Sequence, residues 1–372
     1  MAKYNLFQRY TVICIAFYLI SVIVFLLLIL PIINIKVVFW WLDNLLNLQV
    51  QLSLAALLLI LINAIYIKKF IGLFAFLYIS MIAYNLMPLY LPVTLPSIFN
   101  IKKESLKVIN QKIISLNIAQ LNLKYENSNL KELLPILGNG EFDLIALEEA
   151  ADTEYLTLKK LDKYYPYSFG MSQLESTPSG MAIFSRWPII EKRIHTLGYK
   201  SGQILEIIIQ APETNSPVQL FTLHPGSPRT KALWQSRNQT LTTTAKRINN
   251  SPFANQVIIG DFNNTPWTHS FKEFQKQTQL KNSANGFGYI PSWSYFTSPL
   301  LSIISSVYID HTLVSNNFIV LDKRYHSIKG SDHLLILTKL AICIEINSAN
   351  LQNAKKNKGK IEKTALSTNV IP

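Results

Sequence analysis

Residues 142–149 read F-D-L-I-A-L-E-E, a buried-looking strand over 142–147 that ends on two carboxylates, Glu148 and Glu149. A short apolar run bounded by polar residues reads as a strand covered on both faces. Polar side chains just past the carboxyl end of such a strand lie where open α/β sheets build their sites. The same arrangement recurs outward from this stretch. Upstream, 113–118 is a short apolar strand and 129–137 a helical stretch closed by Gly138. Downstream come a helix around 152–162, strand-like runs at 181–184, 204–209, 218–223 and 257–259, and a helix over 230–248 between the last two. Further strands are predicted at 307–314, 318–321 and 334–346. Short apolar runs with intervening helices, several strands being adjacent in sequence, predict an α/β (α+β) sandwich of mixed sheets covered by helices.

The polar residues at the strand ends are Asn117, Glu148, Glu149, His224, Asp261, Asn263, Asp310, Asp332 and His333. Taken singly, each is more readily a turn former, a helix cap or a structural histidine than a ligand. His195, His269, His311 and His326 are assigned to that plain structural or solvated class. The collection is what informs: carboxylates, amides and imidazoles, each closing an apolar strand. An oxygen-rich set suits Mg²⁺ or Mn²⁺, hard ions that prefer carboxylate and carbonyl ligands. There is no Cys/His cluster of the structural-zinc kind, no G-x-x-x-x-G-K-[ST] loop and no G-x-S-x-G elbow.

Hydropathy divides the chain in two. Residues 1–100 carry six charged side chains, Lys3, Arg9, Lys36, Asp43, Lys68 and Lys69, and the other 272 residues carry the remaining 51. Three uncharged stretches, 11–33, 48–67 and 70–91, each hold the ~20 residues needed to cross a bilayer as a helix. Phe39, Trp40 and Trp41 resemble an interfacial aromatic belt. The expected organisation is a three-span anchor over 1–100, a linker at 101–111, a catalytic domain at 112–346 and a disordered basic tail at 347–372. Cationic residues before the first span and between the second and third put the domain outside by the positive-inside rule. Of the net charge of +13, about +5 belongs to 101–348, a mild basic bias that suits a polyanionic or anionic-lipid substrate. Cys14 lies in the first span and Cys343 near the end of the domain, too far apart in character for a disulfide. The spans hold no ionisable residue to mark a transport pathway, which disfavours a transporter.

Seven segments in order resemble the endonuclease/exonuclease/phosphatase superfamily of deoxyribonuclease I-like fold. They are S-L-N at 115–117, D-L-I-A-L-E-E at 143–149, G-M-A-I-F-S-R at 180–186, T-L-H-P at 222–225, G-D-F-N at 260–263, I-D-H at 309–311 and S-D-H at 331–333. With its anchor, the chain looks like a bacterial membrane-bound branch. The resemblance implies a four-layer sandwich, two packed mixed β-sheets flanked by helices, preceded by three transmembrane helices. It implies metal binding by Glu149, completed or adjusted by Asn117 and Asp332, with Mg²⁺ or Mn²⁺ as cofactor. Asp261 and Asn263 would hold the phosphate, His333 oriented by Asp310 would activate water, and His224 would stabilise the phosphoryl oxygens. The implied partners are a phosphoester substrate, nucleic acid or phospholipid, and the bilayer itself through 11–91; no obligate protein partner is implied. The implied location is a bacterial inner membrane with the domain on the outer side. An E-E pair replaces the usual Q-E, and S-V-Y-I-D before Asp310 lacks the P-A-W-x-D-R of inositol 5-phosphatases. A phosphomonoesterase of the same fold and a non-catalytic binding module remain as alternatives. Trp234, Trp267 and Trp293 could stack on bases, touch lipid or serve as core.

Overall fold

The computed structural model describes residues 2–68, 70–91, 111–125, 127, 129–170, 180–197, 203–210, 216–296 and 298–345. Apart from Gln111, the expected linker at 101–111 lies outside these, as does the expected tail at 347–372.

The first sheet contains β1 (Gln111–Asn122), β2 (Leu144–Glu148), β3 (Tyr167–Phe169) and β4 (Ala182–Ser185). The second takes β5 (Ile189–Thr196), β6 (Gln203–Gln210), β7 (Pro217–Leu223), β8 (Gln256–Asp261) and β9 (Lys281–Asn282). A two-stranded ribbon is made by β10 (Trp293–Ser294) and β11 (Ser306–Val307). Then β12 (Asp310–Val314) joins the second sheet, and β13 (Phe318–Ser327) and β14 (Leu334–Glu345) join the first. The orders are β13-β14-β1-β2-β4-β3 and β5-β6-β7-β8-β12-β9. Each sheet is antiparallel except for one central parallel pair, β1 with β2 and β7 with β8. A parallel pair needs a crossover. A helix over Leu130–Leu137 supplies it in the first sheet, and one over Lys231–Asn249, capped by Thr230, in the second.

Strand alternation builds three apolar layers. Ile114, Leu116, Ile118, Leu144 and Ala146 face Leu205, Ile207, Leu220, Val257 and Ile259 between the sheets. Ala119, Leu121, Ile145 and Leu147 pack outward on Leu133 and Leu137 of the first crossover helix. Phe221, Ile258 and Leu313 pack on Leu241, Ala245, Phe271 and Phe274 of the helices Lys231–Asn249 and His269–Thr278. The expected sandwich of two mixed sheets flanked by helices is therefore the observed one.

Three elements depart from expectation. The strand starting at 113 runs on to Asn122 because Gln120 and Asn122 sit in ladder register although polar. The helix expected at 152–162 is a set of short 3₁₀ and α turns. β5 carries no apolar alternation, since as an edge strand it exposes most of its side chains.

Three helices long and apolar enough to cross a membrane precede the domain: Thr11–Ile33 within the helix Ala2–Ile33, Gln49–Ile67, and Ile71–Tyr90. They bury Phe17, Val24, Leu28, Ala56, Leu59, Tyr78 and Met81 against one another. Asn85 donates to Leu28 O at 3.0 Å and to Gln49 Oε1 at 3.2 Å, and Gln49 donates to Leu27 O at 3.0 Å, polar contacts of the kind that join apolar helices. Outward, Val12, Ile13, Leu19 and Ile23 are exposed.

The helices hold the domain directly. A short helix over Trp40–Leu46, between the first two spans, lays the buried Asp43 against Arg237 (Oδ2 to Nη2, 2.6 Å) and Trp234 (Oδ2 to Nε1, 2.8 Å). Asn47 Oδ1 accepts from Thr265 N and Oγ1 at 3.0 and 2.8 Å. Trp267 Nε1 donates to Asn85 O at 2.9 Å, and Leu89 O accepts from both Gly286 N and Gly288 N at 2.8 Å. Trp234 and Trp267 thus serve the junction between these helices and the domain.

Candidate active site

The carboxyl ends of the two parallel pairs point to one edge of the sandwich. Asn122 ends β1, Glu149 follows β2, His224 follows β7 and Asp261 ends β8. The amino ends of two antiparallel neighbours complete the edge. Asp310 opens β12 in register with Asp261, and His333 immediately precedes β14.

Two backbone features make this convergence possible. Gly260 has φ of 147°, and a Cβ there would stand 2.0 Å from Leu223 O, so β7 and β8 approach closely only without a side chain. Glu149 itself has φ of 56°, an uncommon conformation for a non-glycine residue that breaks strand alternation. Alternation alone would send Glu149 outward with Ile145 and Leu147; the left-handed residue redirects it to the site edge. Ala150 N, donating to Gly180 O at 2.8 Å, pins the turn, and Gly180 (φ 58°) leaves no space for a Cβ beside Ala150 O.

Glu149 Oε1 accepts from Asn122 Nδ2 at 3.0 Å and lies 3.4 Å from His224 Nε2; Oε2 accepts from Tyr125 N at 3.1 Å. Burial works to raise its pKa, but His224, the Asn122 amide, Tyr125 N–H and His333 together hold it below the ordinary glutamate range. Asp261 Oδ2 accepts from Asn122 Nδ2 at 3.3 Å and Asn263 Nδ2 at 3.3 Å, with His224 Nε2 at 3.6 Å and His333 Nε2 at 3.8 Å. Burial and the charge of Asp310 push the Asp261 carboxyl up to about 6. Asn263, with φ of 48°, donates to Pro225 O at 2.9 Å and receives Arg237 Nη1 on its own carbonyl at 3.1 Å.

His333 Nδ1 meets Asp310 Oδ2 at 2.8 Å, and the other oxygen of Asp310 accepts from Gln120 Nε2 at 3.2 Å. Burial opposes a charge on His333, yet the charge of Asp310 and its hydrogen bond, with Asp261 and Asp332, push its pKa up to about 10. Glu148 is wholly buried, no described residue donates to either of its oxygens in hydrogen-bond geometry, and burial beside Asp310 and Asp261 raises its pKa well above normal. His311 points to the opposite face of β12, as alternation requires. It stacks on Phe262, Phe271 and Tyr308, Asn264 O accepts from its Nε2 at 2.8 Å, and burial lowers its pKa to about 3.

Of the residues singled out in the sequence, Glu149, His224, Asp261, Asn263, Asp310 and His333 come together. Asp332 stands at the rim, its Oδ2 3.2 Å from Trp293 Nε1 and 3.8 Å from Lys124 Nζ. Asn117 is not with them. It precedes Asn122 by five residues, about 17 Å of extended strand. It also lies on the opposite face, where it bonds to Asp143 Oδ2 through N (2.8 Å) and Nδ2 (3.2 Å). Asn122 occupies the place expected for Asn117. The signal was the inward face of β1, where Ile114, Leu116 and Ile118 give way to Gln120 and Asn122 at the same two-residue spacing. A cavity of about 290 Å³ between Lys36–Asp43 and the helices Lys231–Asn249 and His269–Thr278 contains none of these residues.

The donor set fits a divalent cation. One ligand atom each from Asp261, Asp310 and His333 lies within 4.8 Å of the others. Glu149 and Asn122 converge on Asp261 beside this group and could hold the cation with it. The Endonuclease/Exonuclease/phosphatase family model matches residues 114–333. The chain belongs to this family. It is accordingly a phosphoric ester hydrolase, of a family that generally depends on divalent metals. Among solved structures, an endonuclease/exonuclease/phosphatase family protein from Bacteroides thetaiotaomicron is 16% identical, with 62% of this chain and 99% of that one covered and a TM-score of 0.50. A member from Bacteroides vulgatus is 12% identical over 62% of this chain and 99% of that one, TM-score 0.51. D. rerio TDP2, complexed with a single-strand DNA product, is 16% identical over 61% and 98%, TM-score 0.51. These share the fold of the domain that follows the three apolar helices. No curated protein matches the chain.

Proposed function

We propose that this chain is a membrane-anchored phosphodiesterase that uses Mg²⁺ or Mn²⁺ and hydrolyses its substrate by in-line attack of water. The observation that carries the reading is the Asp310–His333 contact of 2.8 Å, with His333 Nε2 turned toward Asp261 in the pocket shared with Glu149, Asn122 and His224. Asp310 fixes the proton on Nδ1 and leaves Nε2 to take the proton of the attacking water. The water oxygen forms the new bond to phosphorus as the ester oxygen departs and takes up a proton. His224 and Asn263 line the pocket where the non-bridging oxygens gather, and Asp261 and Glu149 with Asn122 would hold the cation. That cation would draw negative charge from the phosphoryl oxygens and the two carboxylates, and so bring the His333 proton within reach of neutral pH.

The full chain in nanodiscs, assayed on bis(p-nitrophenyl) phosphate with Mg²⁺, Mn²⁺ or EDTA, tests this reading. Metal-dependent turnover that EDTA abolishes is expected. Turnover indifferent to EDTA, or confined to p-nitrophenyl phosphate, would sink the diesterase assignment.

A further inference from the structure

From 282 to 309 the chain has no charged residue, and within that stretch the structure leaves a large apolar surface uncovered. Tyr295 is 70% exposed, Phe296 39%, Leu300 75%, Leu301 41%, Ile303 53% and Ile304 62%. The last four belong to a helix over Pro299–Ser305. Scattered apolar residues on a surface are ordinary, but a contiguous patch of this kind marks a binding surface. The patch is also preformed: β10 and β11 pair Trp293 with Val307 and Ser294 with Ser306, closing the base of the loop that carries it.

Its position says what covers it. Gln51 Nε2 donates to Ser306 O at 2.7 Å and reaches Ile303 O at 3.4 Å. Gln51 is the third residue of the helix beginning at Gln49, about 3 Å along the axis from its domain-side end at 1.5 Å per residue. The helix Pro299–Ser305 therefore sits level with the first turn of a bilayer-crossing segment. At that depth, aromatic and aliphatic side chains partition into the headgroup–acyl boundary.

The same loop leads to the chemistry. Trp293 pairs with His333 across an isolated bridge, its Nε1 meets Asp332 Oδ2 at 3.2 Å, and its ring centroid is 6.4 Å from that of His333. The Tyr295 ring lies 6.4 Å beyond Trp293 and the Phe296 ring 4.9 Å beyond Tyr295. An unbroken aromatic run connects the catalytic histidine to the apolar helix.

We propose that Tyr295, Phe296 and the helix Pro299–Ser305 rest in the face of the bilayer that holds the anchor, so that the site draws a phosphoester borne by a membrane lipid. The lipid substrate rests on the phosphodiesterase reading above; the bilayer contact does not. A nucleic acid would need cations along this loop, and 282–309 offers none.

The test uses the full chain in nanodiscs of phosphatidylcholine and phosphatidylglycerol. In a Cys14→Ser, Cys343→Ser background, Ile303→Cys carries an environment-sensitive fluorophore. Lys246→Cys, near the far end of the helix whose first turn touches Asp43, serves as the reference. Lipids spin-labelled at a shallow acyl position should quench the Ile303 label several-fold more than the reference, and aqueous iodide should do the reverse. An Ile303 label quenched by iodide and blind to spin-labelled lipid overturns the bilayer contact. A second arm compares the chain with its Leu300→Asp/Ile304→Asp variant. Hydrolysis of the lipids in phosphatidylcholine/phosphatidylglycerol vesicles should fall at least tenfold, with bis(p-nitrophenyl) phosphate turnover unchanged. Equal loss on both substrates, or wild-type cleavage of single-stranded DNA outpacing that of vesicle lipid, overturns the lipid substrate. If the wild type fails on bis(p-nitrophenyl) phosphate, the phosphodiesterase reading falls, while the quenching result still decides the bilayer contact.

Discussion

Asp43 and Arg237 form a buried ion pair between the N-terminal helices and the domain, and removing one partner should loosen both the junction and the site. Arg237 is fully buried and Asp43 is 2% exposed, so neither charge has water to fall back on. Breaking a buried pair by deleting one member costs about 3–5 kcal/mol, because the survivor stays buried and uncompensated. Arg237 keeps Asn238 Oδ1 at 3.0 and 2.8 Å and Asn263 O at 3.1 Å, which puts Asp43→Ala at the low end. Roughly 3 kcal/mol corresponds to about a hundredfold shift in the docked-to-undocked ratio. The assay places a specific protease site within 101–106, cuts it in washed membranes and follows release of the domain. Asp43→Ala should release the domain about a hundred times faster than the wild type. Asp43→Leu with Arg237→Met, which removes both charges, should release it more slowly than Asp43→Ala. Unchanged release from Asp43→Ala, or a double variant worse than the sum of the singles, would refute the reasoning.

Glu149→Gln should lower kcat by at least a hundredfold and weaken Mg²⁺ titration, whereas Glu148→Gln should be mild, because burial beside Asp310 and Asp261 already disfavours the charged form of Glu148; equal losses would contradict this. Asp310→Asn and His333→Ala should each cost roughly 10²–10⁴ in kcat/KM. Their double variant should be little worse than either, with multiplicative losses the adverse result, and His311→Asn should lower thermal stability while leaving activity per folded molecule largely intact. Lys323, buried and bonded to Ser283 Oγ at 2.8 Å and Thr338 Oγ1 at 3.2 Å, has its pKa pushed down by burial to about 7. The unfolded chain binds this proton more tightly, so its contribution to stability grows as pH rises from about 7 toward the unfolded value and is lost below. Lys323→Met should remove that slope, up to about 1.4 kcal/mol per pH unit, and identical profiles for both proteins between pH 7 and 9.5 would count against it.

The sequence was most legible where a strand ends and its chemistry begins. Glu149, His224, Asp261 and Asp310 each sit within a residue of a strand terminus that an apolar run announces. It was least legible where polar residues occupy ladder positions. Gln120 and Asn122 look like residues beyond the end of a strand, but β14 pairs with β1 as far as Gln120 and β2 as far as Asn122, and only that pairing shows that the strand runs on. That is why the sequence points to Asn117, while the asparagine in contact with Glu149 and Asp261 is Asn122. The short helix Pro299–Ser305 was invisible for another reason: seven residues carry too little periodicity to separate an apolar helix from a buried strand.

Asp43 shows what composition conceals. Read along the chain, it is the single acid among the six charges of the first 100 residues, sited in a loop between spans. Its partner is 194 residues away. In space it starts a relay: Asp43 neutralises Arg237, Arg237 donates to Asn263 O, and Asn263 donates to Asp261 Oδ2. Asn47 meanwhile grips Thr265, two residues beyond Asn263. The left-handed turn at Asn263 is thus held by the N-terminal helices from one side and by β8 from the other, where strained backbone persists only when its surroundings over-determine it. The three apolar helices are then part of the scaffold of the candidate site. A domain cut free of them would leave Arg237 and Trp267 without the groups that now bury and bond them.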